Sequence, residues 1–298
     1  MPSLKAIRKR IVSTKSTQKI TRAMKMVAGA RLTRAQQRIA ALRPYAVKTA
    51  EVLHSVARTM GSSSESQHEP VHPLLAVRPE KKALFVVVSA DRGLCGGLNT
   101  NINKATEREW RERTSAGVDV SFATLGRKGR EHLTRRGGCI AKDFPRAFDG
   151  LDMDKARRTA RWLVSRFDRG ETDSIYLIYT EFKSAMTQKV AVTRLLPVAA
   201  GTGGGGGDGA SPNDFLYEPH QRALLERLMP MYIEVSIFRA LLESQASFFG
   251  AQMTAMDAAT RNAKQMIARL TLQYNRARQA SITKELMEII GGAEALKD

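Results

Sequence analysis

Chemistry in this chain would show first in the glycine-rich segment Asp91-Arg92-Gly93-Leu94-Cys95-Gly96-Gly97-Leu98-Asn99, which follows the apolar run Ala83–Val88. A nucleotide-binding loop sits in such a place. This one lacks the GxGxxG spacing that lets a backbone approach a pyrophosphate, and it lacks the Gly-Lys-Ser/Thr of a P-loop. Its glycines fit a tight strand-to-helix turn better than a phosphate cradle. Cys95 has no histidine near it in sequence and reads as a buried thiol rather than a nucleophile. Cys95 and Cys139 are the only cysteines; with no CxxC they offer no metal framework and fit a reducing compartment. His68 and His72 have the types for a metal pair, but no cysteine or carboxylate supports them, and a solvated linker is the plainer reading. No GxSxG, HExxH or paired-carboxylate pattern occurs. The residues predict no catalytic group, no cofactor and no metal.

Charge says more. The first fifty residues hold thirteen lysines and arginines and no acid before Glu51, while the whole chain carries +19 from 48 basic and 29 acidic residues. That end should meet something negative. Three readings fit: an import peptide, a nucleic-acid arm, or a structural helix inside a protein partner that supplies the acids. Tyr45 is the only aromatic in the basic stretch, which removes the stacking chemistry of single-strand binders. Duplex binding stays open on charge alone. No run approaches the roughly 18 apolar residues of a membrane span.

Around these residues the elements can be placed by period. Ser3 is a candidate N-cap, and no proline intervenes until Pro44, which is positioned to kink the helix. Apolar residues recur at three- and four-residue steps through Leu4, Ile7, Ile11, Ile20, Met24, Val27, Leu32, Ala35, Ile39, Leu42, Ala46 and Leu53. That is a narrow coiled-coil seam. Residues 3 to 58 would run about 80 Å as one helix. A second stripe, Ile233, Ile237, Leu241, Phe248, Ala251, Met266, Leu270, Ala277, Met287 and Ile290, spans Tyr232–Leu296 without a proline, with Gly291-Gly292 placed to end it. It would run about 95 Å, and two such rods most simply pair antiparallel. Between them, Ala83–Val88, Val118–Leu125, Ser174–Thr180 and Val190–Leu196 read as strands, and Asn99–Arg113 and Gly126–Arg136 as helices. This predicts a small α/β domain with a largely parallel sheet, inserted between long N- and C-terminal helices that form an antiparallel coiled coil. The expected division is a shaft helix over 1–60, a linker over 61–81, a Rossmann-like α/β domain over 82–198, a linker over 199–218 with the run Gly203–Gly207, and a second shaft helix over 219–298.

Four ordered segments carry a family resemblance. Lys19-Ile20-Thr21-Arg22-Ala23-Met24-Lys25-Met26-Val27-Ala28, with Leu4–Arg8 before it, resembles the first helix of the gamma subunit of F-type ATP synthases. Arg278-Gln279-Ala280-Ser281-Ile282-Thr283-Lys284-Glu285, continuing to Ala293, is similar to that family's C-terminal signature. Asp91–Asn99 and Tyr179–Ser184 resemble its central-domain motifs. The resemblance implies a non-catalytic, rotating central stalk of a bacterial enzyme. Proton flow would turn it inside three alpha and three beta subunits, with the epsilon subunit and the membrane c-ring as further partners and no nucleic acid. It implies a peripheral location on the cytoplasmic face of the cell membrane. It also sets aside the import peptide, because the basic start lies within the motif.

The resemblance further implies that Arg22, Met24, Lys25, Arg278, Gln279, Thr283 and Glu285 contact the beta subunits. Met24 is equally well explained by seam packing. Leu216-Tyr217-Glu218-Pro219 resembles the foot segment, with Tyr217 and Glu218 toward the c-ring. The chain departs from the family pattern at Ser247-Phe248-Phe249-Gly250-Ala251-Gln252-Met253, where phenylalanines replace polar residues and Gln252 replaces a cation. Apolar packing is expected on that face in place of an ionic contact.

Overall fold

The computed structural model describes residues 3–63, 72–198 and 221–295. The expected foot residues Tyr217 and Glu218, the run Gly203–Gly207 and His68 lie outside them. Helix α1 covers Leu4–Ser63 and α5 covers Gln221–Ala295. Between them come β1 (Lys82–Val88), α2 (Leu98–Ser115), β2 (Asp119–Leu125), α3 (Arg127–Arg135), β3 (Cys139–Phe144), α4 (Met153–Asp168), β4 (Ser174–Phe182) and β5 (Gln188–Leu196). The chain forms two compact units, one from residues 30–251 and one from 1–29 with 252–298.

In the larger unit the sheet order is β3-β2-β1-β4-β5. β1 pairs parallel with β2 and β4, β2 pairs parallel with β3, and β5 joins β4 antiparallel. The β-branched run of β1 alternates between two cores, as a period of two requires. Ala83, Phe85 and Val87 face a cluster with Ile102 of α2 and Leu133 of α3, while Leu84, Val86 and Val88 face one with Leu163 and Phe167 of α4 and Ile233 and Leu241 of α5. Helices thus cover both faces, which parallel strands need.

β3 and α4 were not anticipated from the sequence. β3 is a half-exposed edge strand containing Lys142 and Asp143, so it lacks a clean alternating pattern. The helical stripe of α4, Ala156, Ala160, Leu163 and Phe167, is interleaved with arginines. Its start was legible, since the Asp152 carboxylate accepts the Lys155 N–H at 2.9 Å as an N-cap. α5 begins at Gln221, near the expected bound at 219, and runs through Pro230 ahead of the proline-free stripe. One proline forfeits one helical hydrogen bond, a loss offset here by Leu225, Met229 and Ile233, all fully buried. Nor does α5 end at Gly291-Gly292; it continues to Ala295. Pro44 likewise lies inside α1.

The smaller unit is an antiparallel helix pair. Thr21 Oγ1 meets Thr260 Oγ1 at 2.8 Å, Lys25 Nζ meets Asp257 Oδ1 at 2.5 Å, and Met253 Sδ lies beside Gly29. The partner number falls as the first rises. Ser3 caps α1, accepting the Ala6 N–H on its hydroxyl at 3.3 Å.

Candidate subunit-contact surfaces

The seam of α1 differs from the hydrophobic reading in its middle. Burial follows Ile7, Ile11, Thr14, Gln18, Thr21, Lys25, Ala28, Leu32 and onward to Leu53, in unbroken steps of four and three. Ile20 and Val27, expected in the seam, are 57% and 52% exposed, while Thr21 and Ala28 beside them are buried. The phase of the well-packed ends decides the middle, because a rigid helix cannot rotate there to follow its apolar residues. Val12, Ile20, Met26 and Val27 are therefore left on the outer surface. On α5 the seam runs through Met256, Thr260, Ala263, Ile267, Leu270, Tyr274, Ala277 and Ser281. Met266, Met287 and Ile290, expected in the seam, are exposed.

Past Ser281 every described side chain of α5 is exposed. The register explains this. Lys25 opposite Asp257 places Leu4, the first residue of α1, opposite about Arg278. Beyond that point α5 has no described turn of α1 beside it. Two adjacent stripes follow at four- and three-residue steps: Arg278, Ile282, Glu285, Ile289, and Gln279, Thr283, Leu286, Ile290. The first alternates polar and aliphatic groups, and the second passes from two polar residues to two aliphatic ones. Ile282, Leu286, Ile289 and Ile290 are all at least half exposed, which marks an apolar surface awaiting a partner.

Of the seven residues expected at the beta subunits, the structure brings Arg278, Gln279, Thr283 and Glu285 together on these stripes. Glu285 accepts a bond from the Ser281 hydroxyl at 3.1 Å. Arg22 is exposed on α1 and Met24 is half-buried. Lys25 differs from the rest: its ammonium is bound to Asp257, which Arg261 also approaches at 2.8 Å. The hydrogen bond from Lys25 is the main force holding the Asp257 carboxyl below the usual range, with both cations adding to it. Lys5, Arg8, Lys9, Arg10, Lys15 and Lys19 have no acidic partner among the described residues and stay exposed.

The glycine-rich loop is closed on itself. The Asn99 side chain accepts the Ala90 N–H at 3.2 Å and donates to the Arg92 carbonyl at 3.3 Å, while Asp91 accepts the Arg127 N–H at 3.0 Å and so caps α3. Burial pushes the Cys95 thiol up from its ordinary value, which disfavours the nucleophilic thiolate. His72 accepts the Leu74 N–H on Nδ1 at 3.1 Å and serves as a cap. Among the described residues no group of three or more His, Cys, Asp or Glu side chains is placed to hold a metal. No described helix is long and apolar enough to cross a membrane.

The family model for ATP synthase matches residues 3–296. The ATP synthase gamma chain of Sorangium cellulosum is 54% identical over 323 residues, covering all of both chains, and that of Geotalea uraniireducens is 49% identical over 297, also covering both. The chain belongs to the ATP synthase gamma-chain family. Among solved structures, a chain of the Euglena gracilis mitochondrial ATP synthase (OSCP/F1/c-ring) has a TM-score of 0.66 at 18% identity, covering 98% of this chain and 94% of that one. A chain of the Tetrahymena thermophila central stalk/c-ring has 0.61 at 22%, covering 80% and 99%. These share the fold, with long terminal helices flanking a mixed sheet.

Two features of this family member escaped the sequence reading. Asp257 answers one of the thirteen N-terminal cations from within the chain, a pairing visible only once the register is known. Residues 126–169 hold thirteen basic and six acidic side chains, a second positive region of net +7. It is dispersed over α3, β3 and α4, and no single run reveals it. The departure from the family pattern resolves as apolar packing. Phe248 is buried against the rings of Phe148 and Phe249 at 6.1 and 5.4 Å, and Arg31 lies over Phe249 at 5.8 Å.

On β4, burial and the Glu243 carboxylate push the Tyr179 hydroxyl up to about 12 from 10. The folded chain keeps this proton while the unfolded chain releases it, so stability falls as pH rises between those values. Urea unfolding at pH 8 and at pH 11 tests this. Tyr179→Phe should reduce the alkaline loss by about 1.4 kcal/mol, and an equal loss in both chains would reject the assignment.

Proposed function

We propose that this chain is the rotating central-stalk subunit of a bacterial F1Fo ATP synthase, coupling proton-driven rotation to conformational change in the catalytic beta subunits. It has no catalytic role of its own. The observation that carries the reading is the stretch of α5 past Ser281, where Glu285 and Thr283 share two exposed stripes with large aliphatics. A helix end of this kind suits a ring of subunits closing around it. Three alpha and three beta subunits, the epsilon subunit and the c-ring are its partners, and Tyr217 and Glu218 are assigned to the c-ring contact. The complex would sit on the cytoplasmic face of the membrane, with this chain as a peripheral component.

The coupling follows from asymmetry. Three chemically equivalent beta subunits around one rod each meet a different face, so each is biased toward a different conformation and nucleotide affinity. A rod touching all three identically would shift nothing. Arg278, Gln279, Thr283 and Glu285 supply face-specific contacts on one helix, and Arg22 and Met24 on the other. The exposed lysines and arginines of α1 favour acidic loops on the surrounding subunits and keep the rod soluble before assembly.

Co-expression with the cognate alpha and beta subunits tests the proposal. An ATP-hydrolysing complex should form only when this chain is present. In the membrane-bound complex that also carries the epsilon subunit and the c-ring, Glu285→Ala should lower protons pumped per ATP by about twofold or more. Stability should change by less than about 0.5 kcal/mol, as expected of an exposed side chain. Unchanged pumping per ATP in membrane vesicles would sink the role of Glu285. Assembly without this chain would sink the wider reading.

A further inference from the structure

β4 outlasts its parallel neighbour. It pairs with β1 only over Ser174–Ile178 but with β5 as far as Phe182. Past Ile178 the edge that faced β1 would carry bare polar backbone, and Thr180 there is buried, at 2% exposure. Two hydroxyls of α5 take the place of a strand. Ser244 Oγ accepts the Thr180 N–H at 3.2 Å, and Ser247 Oγ donates to the Thr180 carbonyl at 3.2 Å. Both serines are buried, and their three-residue spacing puts them side by side on one face of the helix. Three residues further on, Gly250 brings the helix backbone onto the same hairpin: a Cβ there would lie 3.3 Å from the Phe182 ring and 3.3 Å from Ala185 Cα.

We infer that Ser244 and Ser247 are positioning residues for torque transfer, forming the joint that makes the sheet and α5 turn as one body. The inference rests on the rotary reading above. Apolar contacts between the sheet and α5 resist separation but have no direction, so they permit sliding and rolling. Two hydrogen bonds to the N–H and C=O of a single residue fix both the rotation of the helix about its axis and its position along it. The absent side chain at Gly250 lets the helix come close enough for both bonds to form.

The test uses the assembled complex in membrane vesicles with Ser244→Ala and Ser247→Ala combined. ATP hydrolysis per assembled complex should be retained, while protons pumped per ATP fall at least about twofold as the sheet slips against the helix. Ser247→Cys, nearly isosteric but a weak donor, should fall in the same direction, which separates the hydrogen bond from a packing defect. Should the double variant not assemble, Ser247→Ala alone, which leaves Ser244 on Thr180, is read in the same way. Pumping per ATP equal to the parent in assembled variants overturns the joint. A purely structural role would reduce the amount of complex and leave that ratio intact. Loss of chain-dependent pumping in the parent complex would instead overturn the rotary reading, whatever the serines do.

Discussion

Gly126→Ala is expected to abolish folding of the larger unit. Gly126 has φ +110° and ψ 149°, a conformation essentially confined to glycine. A Cβ built there would lie 2.0 Å from the Ser89 carbonyl oxygen, 2.9 Å from its carbon and 3.0 Å from Ser89 Oγ. Two of these are backbone atoms at the end of β1, the central strand, so no rotamer change relieves the clash. Ser89 cannot retreat, because its N–H is held by the Leu125 carbonyl at 2.8 Å and its Oγ accepts the Gly129 N–H at 2.8 Å while donating to the Gly126 carbonyl at 3.2 Å. Gly129 crowds the same oxygen, since a Cβ there would lie 2.9 Å from Ser89 Oγ. A cost of roughly 4 kcal/mol or more is expected, a large part of the stability of most domains. Circular dichroism and urea denaturation of the purified chain measure it. A loss under about 1 kcal/mol would show that the β2–α3 turn has other conformations open to it. Gly117, by contrast, also has positive φ (+79°) but has open space around it. Alanine there meets only the backbone preference, so its loss should be clearly smaller.

That turn shows how local signals served the reading. A glycine before a helical pattern, at the end of a strand, is visible in one sequence, and the expected helix Gly126–Arg136 lies within a residue of α3 at each end. The β-branched run of β1 was equally plain, because a doubly buried strand has no polar face to confuse its period. What escaped was whatever depends on a distant partner. β3 is half-exposed, so pairing with β2 decides its conformation more than its own residues do. The seam of α1 is the sharper case. Its apolar side chains drift to Ile20 and Val27, but the packed phase passes through Gln18, Thr21 and Lys25, and only the opposing helix makes those positions tolerable. The contact surface was legible as motif, while its geometry, two exposed stripes past the start of α1, needed the register.

Asp257→Lys should be the most damaging single change in the smaller unit, because it attacks that register. Coiled-coil seams made only of aliphatics accept a shift of one heptad, and a polar pair inside the seam forbids it. Here Lys25 lies against Asp257 and Thr21 against Thr260. A shift of one heptad would set Lys25 opposite Gly250 or Lys264, and Thr21 opposite Met253 or Ile267. Each alternative leaves the ammonium without an acid, or facing another cation, and sets the threonine hydroxyl against an apolar side chain. With Asp257→Lys the native register suffers the same fault, since Lys25, the new lysine and Arg261 would converge on one spot. The expected result is a lower melting temperature and, in the assembled complex, fewer protons pumped per ATP. Exchanging the pair, Lys25→Asp with Asp257→Lys, should recover most of both, short of the parent because Arg261 then sits one turn from a lysine. Acid should act in the same direction but more weakly, because protonation removes the negative charge without adding a positive one. The depressed Asp257 carboxyl contributes stability above its unfolded value near 3.8, and that contribution is lost as pH falls through the lower folded value. A swapped pair no better than Asp257→Lys alone would show that the two charges do not read each other. The register would then have to be set by the apolar positions at the two ends of the seam.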